Sequence, residues 1–102
     1  MPQFVKVAKK SEIAEQSAKC VEVQGKRIAL FNLGGQFYAI GDECTHQGGP
    51  LSEGLIEGEE VECPWHGARF NIKSAAVVCP PAPDGVPRYN VRLTGDDIEV
   101  EV

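Results

Sequence analysis

Two short segments contain both histidines of the chain and two of its four cysteines. They are Cys44-Thr45-His46 and Cys63-Pro64-Trp65-His66, with the sixteen residues 47–62 between them. A Cys and a His this close in sequence can bind one metal centre from a single loop, and a second such loop completes a set of four ligands. The pattern therefore predicts a scaffold that brings two loops together around a metal centre.

The ligand types leave two kinds of metal centre open. Two thiolates and two imidazoles suit a structural zinc ion in tetrahedral coordination. They also suit a [2Fe-2S] cluster that has both thiolates on one iron and both imidazoles on the other. The spacing of the four residues does not decide between these centres.

Composition indicates one globular domain. The 102 residues are 42% hydrophobic and 25% charged, and no run of about 20 apolar residues could span a bilayer. Because no secretory signal pattern is present, we expect a cytoplasmic location. We also expect a monomer without membrane contacts. In that compartment the cysteines are expected to be ligands or free thiols rather than disulfides.

Negative charge is concentrated around the two segments. No lysine or arginine lies between Arg27 and Arg69. An ordinary solvated face explains this pattern, and so does a surface that attracts a basic partner protein. Both interpretations argue against nucleic acid as a partner. The interval contains seven carboxylates: Asp42, Glu43, Glu53, Glu57, Glu59, Glu60 and Glu62.

Short alternating runs separated by turn residues predict an all-β fold. Gly34-Gly35 predicts a tight antiparallel hairpin, because glycine adopts the positive φ angles that such a turn needs. One short helix is predicted at residues 11–18, with Ser11 as its N-cap. Strands are predicted at residues 4–8, 20–24, 26–33, 37–40, 59–63, 68–72, 76–78, 88–93 and 98–102.

The composition changes between Gly41 and Pro87, where Gly and Pro are frequent and both Cys/His segments lie. We therefore predict a single domain of residues 1–102. Its antiparallel sheets form a scaffold, into which a smaller loop-rich lobe of approximately residues 42–86 is inserted.

The residues around the four ligands resemble the Rieske family. The resemblance lies in Cys44-Thr45-His46-Gln47-Gly48-Gly49-Pro50-Leu51-Ser52-Glu53-Gly54 and in Cys63-Pro64-Trp65-His66-Gly67-Ala68-Arg69-Phe70. It extends to Pro80-Pro81-Ala82-Pro83, which match the family's loop over the cluster, and covers almost the whole chain. It implies a Rieske fold with a cluster-binding lobe and one [2Fe-2S] cluster. The implied ligands are Cys44 and Cys63 on the inner iron and His46 and His66 on the outer iron.

Neutral imidazole ligands make such a site easier to reduce than an all-cysteine site, which carries two more negative charges. High-potential members of the family add a disulfide between the two loops, where this chain has Gly49 and Trp65. They also add hydroxyl groups that hydrogen-bond cluster sulfur, where this chain has Ala68 and Phe70. The resemblance therefore implies a low reduction potential.

Within the family, the chain is similar to the small ferredoxins of bacterial aromatic-ring-hydroxylating dioxygenase systems of the biphenyl, toluene and naphthalene types. This similarity implies a non-enzymatic one-electron carrier in aromatic hydrocarbon degradation. It would connect an NADH-dependent flavoprotein reductase to a terminal Rieske non-haem iron oxygenase. No glycine-rich dinucleotide fingerprint is present, so the chain itself is not expected to bind NADH. The alternative is the Rieske-like small subunit of an assimilatory NAD(P)H nitrite reductase.

Several other residues carry expectations. Cys20 and Cys79 are predicted to be buried free thiols, since the cluster already has four ligands. Trp65 is predicted to pack against the protein, with shielding of the cluster or partner contact as the alternatives. Arg69 is expected to pair with the acidic residues. Ala75 occupies a turn where the family commonly has glycine; a positive φ would cost alanine about 1 kcal/mol, which leaves a different turn type open.

Overall fold

The computed structural model describes residues 3–43, 50–65, 67–79 and 85–101. These ranges contain eleven β-strands, two short 3₁₀ helices and no α-helix, which confirms the predicted all-β class. No helix in them is long and apolar enough to cross a membrane. The strands are β1 Phe4–Lys9, β2 Ser17–Val23, β3 Lys26–Leu33, β4 Gln36–Gly41, β5 Leu55–Glu57, β6 Glu60–Glu62, β7 Arg69–Asn71, β8 Val77–Cys79, β9 Arg88–Tyr89, β10 Val91–Thr94 and β11 Asp97–Glu101; the 3₁₀ helices are Lys10–Glu12 and Leu51–Glu53.

Two antiparallel sheets form the scaffold. One has the strand order β1-β11-β10 and the other the order β2-β3-β4-β9. Strand β3 is buried on both faces: Ile28 and Leu30 belong to one hydrophobic cluster, and Ala29 and Phe31 belong to the other. The sequence of a strand that is buried on both faces is a continuous apolar run rather than an alternation of apolar and polar residues. The scaffold core therefore lies on both sides of β3.

The predicted hairpin at Gly34-Gly35 is confirmed. Leu33 pairs with Gln36, and the two glycines between them have φ angles of +62° and +91°. These angles are those of the tight turns that match the twist of a hairpin.

A third, smaller sheet has the order β5-β6-β7-β8, in which every strand pairs with its neighbour in sequence. It lies in the chain between β4 and β9, which pair with each other through Ala39 and Tyr89. The small sheet is thus inserted between two adjacent scaffold strands. The bounds of approximately 42–86 for a whole inserted lobe stay a prediction.

The predicted helix at residues 11–18 is wrong. Only the 3₁₀ helix Lys10–Glu12 forms, and β2 already begins at Ser17. The Asn32 side-chain amide donates to the Ile13 carbonyl oxygen at 2.9 Å, and the Gln16 N–H donates to the Asn32 carbonyl oxygen at 2.7 Å. Gln16 also has φ +59°, which interrupts any right-handed helix. Contacts with β3 therefore outweigh the local helix propensity.

The predicted single strand at residues 88–93 is divided in two. Arg88–Tyr89 pairs with β4, whereas Val91–Thr94 pairs with β11 in the other sheet. Asn90 lies at the crossing point, where the chain passes from one sheet to the other.

Candidate metal centre

The second Cys/His segment follows β6 and begins with a tight turn. The Cys63 N–H donates to the Ala68 carbonyl oxygen at 2.7 Å, and the Gly67 N–H donates to the Cys63 carbonyl oxygen at 3.2 Å. Gly67 has φ +76°, a conformation that glycine adopts without steric cost. These hydrogen bonds fix both ends of the turn, so Cys63 is held at a defined point.

Cys63 lies in apolar surroundings. It is 2% exposed, forms no disulfide and belongs to a buried cluster with Leu51, Ala68, Phe70 and Val86. Ala68 and Phe70 are both fully buried, and neither side chain has a hydrogen-bond donor. A free thiol with apolar neighbours suits a sulfur-rich metal centre that is shielded from water.

The first Cys/His segment is closed at its base. Residues 44–49 lie outside the described ranges, but the chain on either side of them is held together. Glu43 and Pro50 form an isolated antiparallel bridge, and the Leu51 N–H donates to the Asp42 carbonyl oxygen at 2.8 Å. The two ends of this loop are therefore adjacent.

The two loop bases also touch each other. Gly54, which follows the first loop, packs against the backbone of Glu62, the residue before Cys63. A Cβ atom at Gly54 would clash with the Glu62 carbonyl oxygen and the Val61 side chain. Only glycine allows the two chain segments to approach this closely, which explains why residue 54 is glycine.

The proline-rich segment ends against the small sheet. Residues 80–84 lie outside the described ranges, but the Val86 N–H that follows them donates to the Ala75 carbonyl oxygen at 3.0 Å. Ala75 has φ +65°, so this turn keeps the positive φ that commonly belongs to glycine in the family. Its neighbour Asn71 accepts hydrogen bonds from the Lys73 and Ser74 N–H groups at 2.9 and 3.0 Å.

These contacts bring three separate loop ends to one place. Leu51 after the first segment, Cys63 in the second and Val86 after the proline-rich segment all belong to the same buried cluster. Of the four predicted ligands, Cys63 is described, whereas Cys44, His46 and His66 lie outside the described residues. Within the described residues no group of three or more side chains could hold a metal ion. The buried thiol and the converging loop ends fit a [2Fe-2S] cluster.

The acidic interval is partly neutralised by cations from outside it. Arg69 forms ion pairs with Glu57, Glu60 and Glu62, as expected from the sequence. The hydrogen bond to Glu57 raises the pKa of the Arg69 guanidinium. Lys73 pairs with Glu59 at 3.2 Å, and this contact raises the pKa of the Lys73 ammonium. One outer face of the small sheet thus carries three carboxylates around a single arginine.

Two expectations about side chains near these loops are wrong. Trp65 is 55% exposed rather than packed, although it is two residues from buried Cys63. Cys20 is a free cysteine but is exposed, because β2 is an edge strand whose inward side chains are Val21 and Val23. Desolvation and a hydrogen bond to Asp42 raise the pKa of the Cys20 thiol. The Cys79 side chain lies outside what the structure describes.

Comparison with known protein families decides the kind of centre. Residues 3–90 match the family described as "Rieske [2Fe-2S] domain". The chain belongs to the Rieske family. This Rieske protein carries one [2Fe-2S] cluster, with the two cysteine and two histidine ligands usual in the family. The zinc alternative is thereby set aside.

Relatives of this Rieske protein are ferredoxins. The 3-phenylpropionate/cinnamic acid dioxygenase ferredoxin subunit of Shigella boydii is 46% identical over 76 residues, which are 74% of this chain and 72% of the relative. The ferredoxin of carbazole 1,9a-dioxygenase from Nocardioides aromaticivorans matches 96% of both chains at 29% identity and a TM-score of 0.91. A complex of reduced oxygenase and oxidised ferredoxin in carbazole 1,9a-dioxygenase contains a chain that is 31% identical, with 95% and 91% coverage and a TM-score of 0.89. The Rieske fold and the resemblance to dioxygenase ferredoxins are confirmed.

The nitrite reductase alternative has weaker support. A structure described as a putative NADPH nitrite reductase small subunit matches with a TM-score of 0.82, covering 96% of this chain and 97% of that one, but the identity is 21%. A likeness at this identity shows that the fold is shared. The ferredoxin relatives combine the same fold with higher sequence identity.

Proposed function

We propose that this Rieske protein is a one-electron carrier, with Cys44, His46, Cys63 and His66 as the ligands of its cluster. It would take electrons from an NADH-dependent flavoprotein reductase and deliver them to a terminal Rieske non-haem iron oxygenase that degrades aromatic hydrocarbons. The observation that carries this proposal is the 46% identity to a dioxygenase ferredoxin subunit over 72% of that subunit. The cluster supplies reversible one-electron chemistry, whereas the chain supplies its ligands, its shielding and its docking surface.

The surface beside the second Cys/His segment supports this role. Cys63 is 2% exposed, but Trp65 two residues later is 55% exposed. A large exposed aromatic side chain near a buried redox ligand suits a small, transient protein contact. We propose that partners dock at this end of the molecule.

The test is electron transfer in a reconstituted system. Purified holoprotein would be mixed with NADH and with the flavoprotein reductase and terminal oxygenase of a 3-phenylpropionate dioxygenase system. We expect substrate-dependent NADH oxidation only when all three proteins are present. If the holoprotein is not reduced by the flavoprotein, or instead co-purifies in fixed stoichiometry with a large nitrite-reducing chain, the proposal fails.

A low reduction potential is expected from the residues around Cys63. Hydrogen bonds to sulfur stabilise the reduced cluster, and neither Ala68 nor Phe70 has a side-chain donor. A redox titration followed by absorption should give a midpoint near the lower end of the Rieske range, about −150 mV. A midpoint above about +100 mV would contradict this prediction, because it lies in the upper part of that range.

Ionic strength should control the rate at which the carrier meets a basic partner. On the outer face of the small sheet, Arg69 is the cation that pairs with Glu57, Glu60 and Glu62. Replacing Arg69 with glutamine makes this face more negative, so reduction by the flavoprotein at low salt should be faster by roughly two-fold to ten-fold. Stopped-flow kinetics at several salt concentrations would measure the effect.

Lys6→Gln is the matched control, because it makes the same change in net charge on β1, in a different sheet. Lys6 also forms an ion pair, with Asp97 at 3.3 Å. Equal rate changes in the two variants would show that net charge, rather than the acidic face, controls the encounter.

We also propose a cytoplasmic location. Cys20 is a free, exposed cysteine outside the proposed ligand set, and free thiols persist in reducing compartments. A cytoplasmic carrier would also have access to a reductase that uses NADH.

A further inference from the structure

Asp42 is a fully buried acidic residue at the base of the first Cys/His loop. It is 0% exposed and lies two residues before Cys44. Burial of a carboxylate is unfavourable unless hydrogen bonds and charges compensate for the lost water. A residue of this kind, placed beside a loop that holds a cofactor, therefore needs an explanation.

Both carboxylate oxygens of Asp42 have partners. Oδ1 accepts a hydrogen bond from the Ser52 N–H at 2.7 Å, and Oδ2 lies 3.3 Å from Nη2 of Arg27. Ser52 belongs to the 3₁₀ helix Leu51–Glu53 that follows the loop, whereas Arg27 lies on β3 of the scaffold. The side chain thus connects the far end of the loop to the scaffold.

The backbone of Asp42 makes the same two connections. Its N–H donates to the Arg27 carbonyl oxygen at 3.1 Å, and its carbonyl oxygen accepts from the Leu51 N–H at 2.8 Å. These contacts, together with the hydrogen bond between the Cys20 thiol and the Asp42 carboxylate, fix both ends of the loop against β2 and β3. Leu51, at the far end of the loop, is fully buried in the same group of apolar side chains as Cys63. The first loop is therefore also fixed relative to the second Cys/His segment.

We propose that Asp42 is a positioning residue for the [2Fe-2S] cluster: its Oδ1 holds the Ser52 amide and thereby sets the position of Cys44 and His46 relative to Cys63. This inference rests on the proposed ligand set. It does not depend on the electron partners, because its test uses the purified holoprotein alone.

Three variants separate position from charge. Asp42→Ala removes the acceptor for the Ser52 N–H. Asp42→Asn keeps a carbonyl oxygen at the same distance from the backbone but loses the charge. Asp42→Glu keeps the charge but moves the oxygen by one methylene. If Oδ1 acts by its position, Asp42→Asn should retain the parental cluster spectrum and iron-release rate. Asp42→Ala and Asp42→Glu should change both.

Asn32→Ala is the control for a general loss of stability. Asn32 is also a buried polar side chain, at 6% exposure, and it holds the Ile13 carbonyl oxygen and the Gly35 N–H. Its partners lie in the scaffold rather than in the cluster loops. This variant should therefore destabilise the protein without changing the cluster.

Two measurements on the dithionite-reduced and oxidised holoproteins test the proposal. Low-temperature electron paramagnetic resonance reports the geometry of the reduced cluster, and the rate of iron release to a chelator reports how firmly the loops close. For Asp42→Ala and Asp42→Glu we expect broadened signals and iron release at least about ten-fold faster, because the part-buried Ser52 amide has lost its partner. Asp42→Asn and Asn32→Ala should keep the parental spectrum and rate.

Other outcomes would overturn the assignment. Unchanged spectra and release rates in Asp42→Ala and Asp42→Glu would show that Oδ1 does not position the loop. Equal acceleration in Asn32→Ala would reduce the effect to general destabilisation, and an Asn variant as impaired as the Ala variant would show that charge matters instead. If Asp42→Ala fails to fold, the comparison of Asp42→Glu with Asp42→Asn still decides between position and charge. A reduced parent whose average g value equals that of an all-cysteine cluster would refute the proposed ligand set itself.

Discussion

Replacing Cys63 with alanine is expected to abolish binding of the [2Fe-2S] cluster. The residue is 2% exposed, and hydrogen bonds from both ends of its turn hold it in place. Alanine provides no ligand atom, and the apolar neighbours Leu51, Ala68 and Phe70 cannot replace the thiolate. Iron in the purified variant should fall below about a tenth of the parental amount, since ligand loss and metal loss are directly coupled.

The matched control for this prediction is Cys20→Ser, which keeps a hydrogen-bond donor beside Asp42. Cys20 is the other free cysteine among the residues with described side chains, and it is exposed on the edge strand β2. It should keep the parental iron content, visible absorption and electron paramagnetic resonance signal. Normal iron binding by Cys63→Ala, or an equal loss in both variants, would be incompatible with Cys63 as a ligand.

Loss of the cluster should also lower stability. The buried side chains around Cys63 come from three loop ends. Metal binding at such a place contributes to the folding free energy of a small domain. Thermal unfolding of Cys63→Ala, followed by circular dichroism, should therefore begin at a lower temperature than unfolding of Cys20→Ser. The scaffold sheets themselves do not contain the ligand turn, so the native β signal should persist at low temperature.

Local features of the fold were predictable because their causes are local. The Gly34-Gly35 hairpin follows from the positive φ angles that glycine permits. The Cys/His pattern and its flanking residues were sufficient for the resemblance to the Rieske family. No long-range contact is needed for these inferences.

Errors occurred where distant residues decide the outcome. The expected helix at residues 11–18 is replaced because Asn32, far along the chain, binds the Ile13 carbonyl oxygen. The charge pattern places Asp42 with the carboxylates of a solvated face, yet contacts with Arg27 and Ser52 allow its complete burial. Sequence spacing gives no indication of either pairing. The only sequence signal for Asp42 is its position two residues before Cys44, a proposed ligand.

Substitution of His66 by cysteine should lower the reduction potential while leaving the fold intact. A neutral imidazole would be replaced by a thiolate, so both oxidation states of the site become one unit more negative and the added electron is held less favourably. The expected shift is roughly half the gap between low-potential Rieske and all-cysteine plant-type sites, on the order of 100 mV. Redox titration of the purified variant would measure it.

The backbone around position 66 supports the expectation that the turn survives. The hydrogen bonds that close the turn run from Cys63 to Ala68 and from Gly67 to Cys63, and neither uses the side chain of residue 66. Leu93→Cys is the control for an added thiol, because Leu93 is 42% exposed on β10, in a scaffold sheet that does not contain the Cys63 turn. It should leave the potential unchanged. An intact cluster with an unchanged or raised potential in His66→Cys would exclude His66 as a ligand, because only a ligand transfers its charge directly to the redox centre.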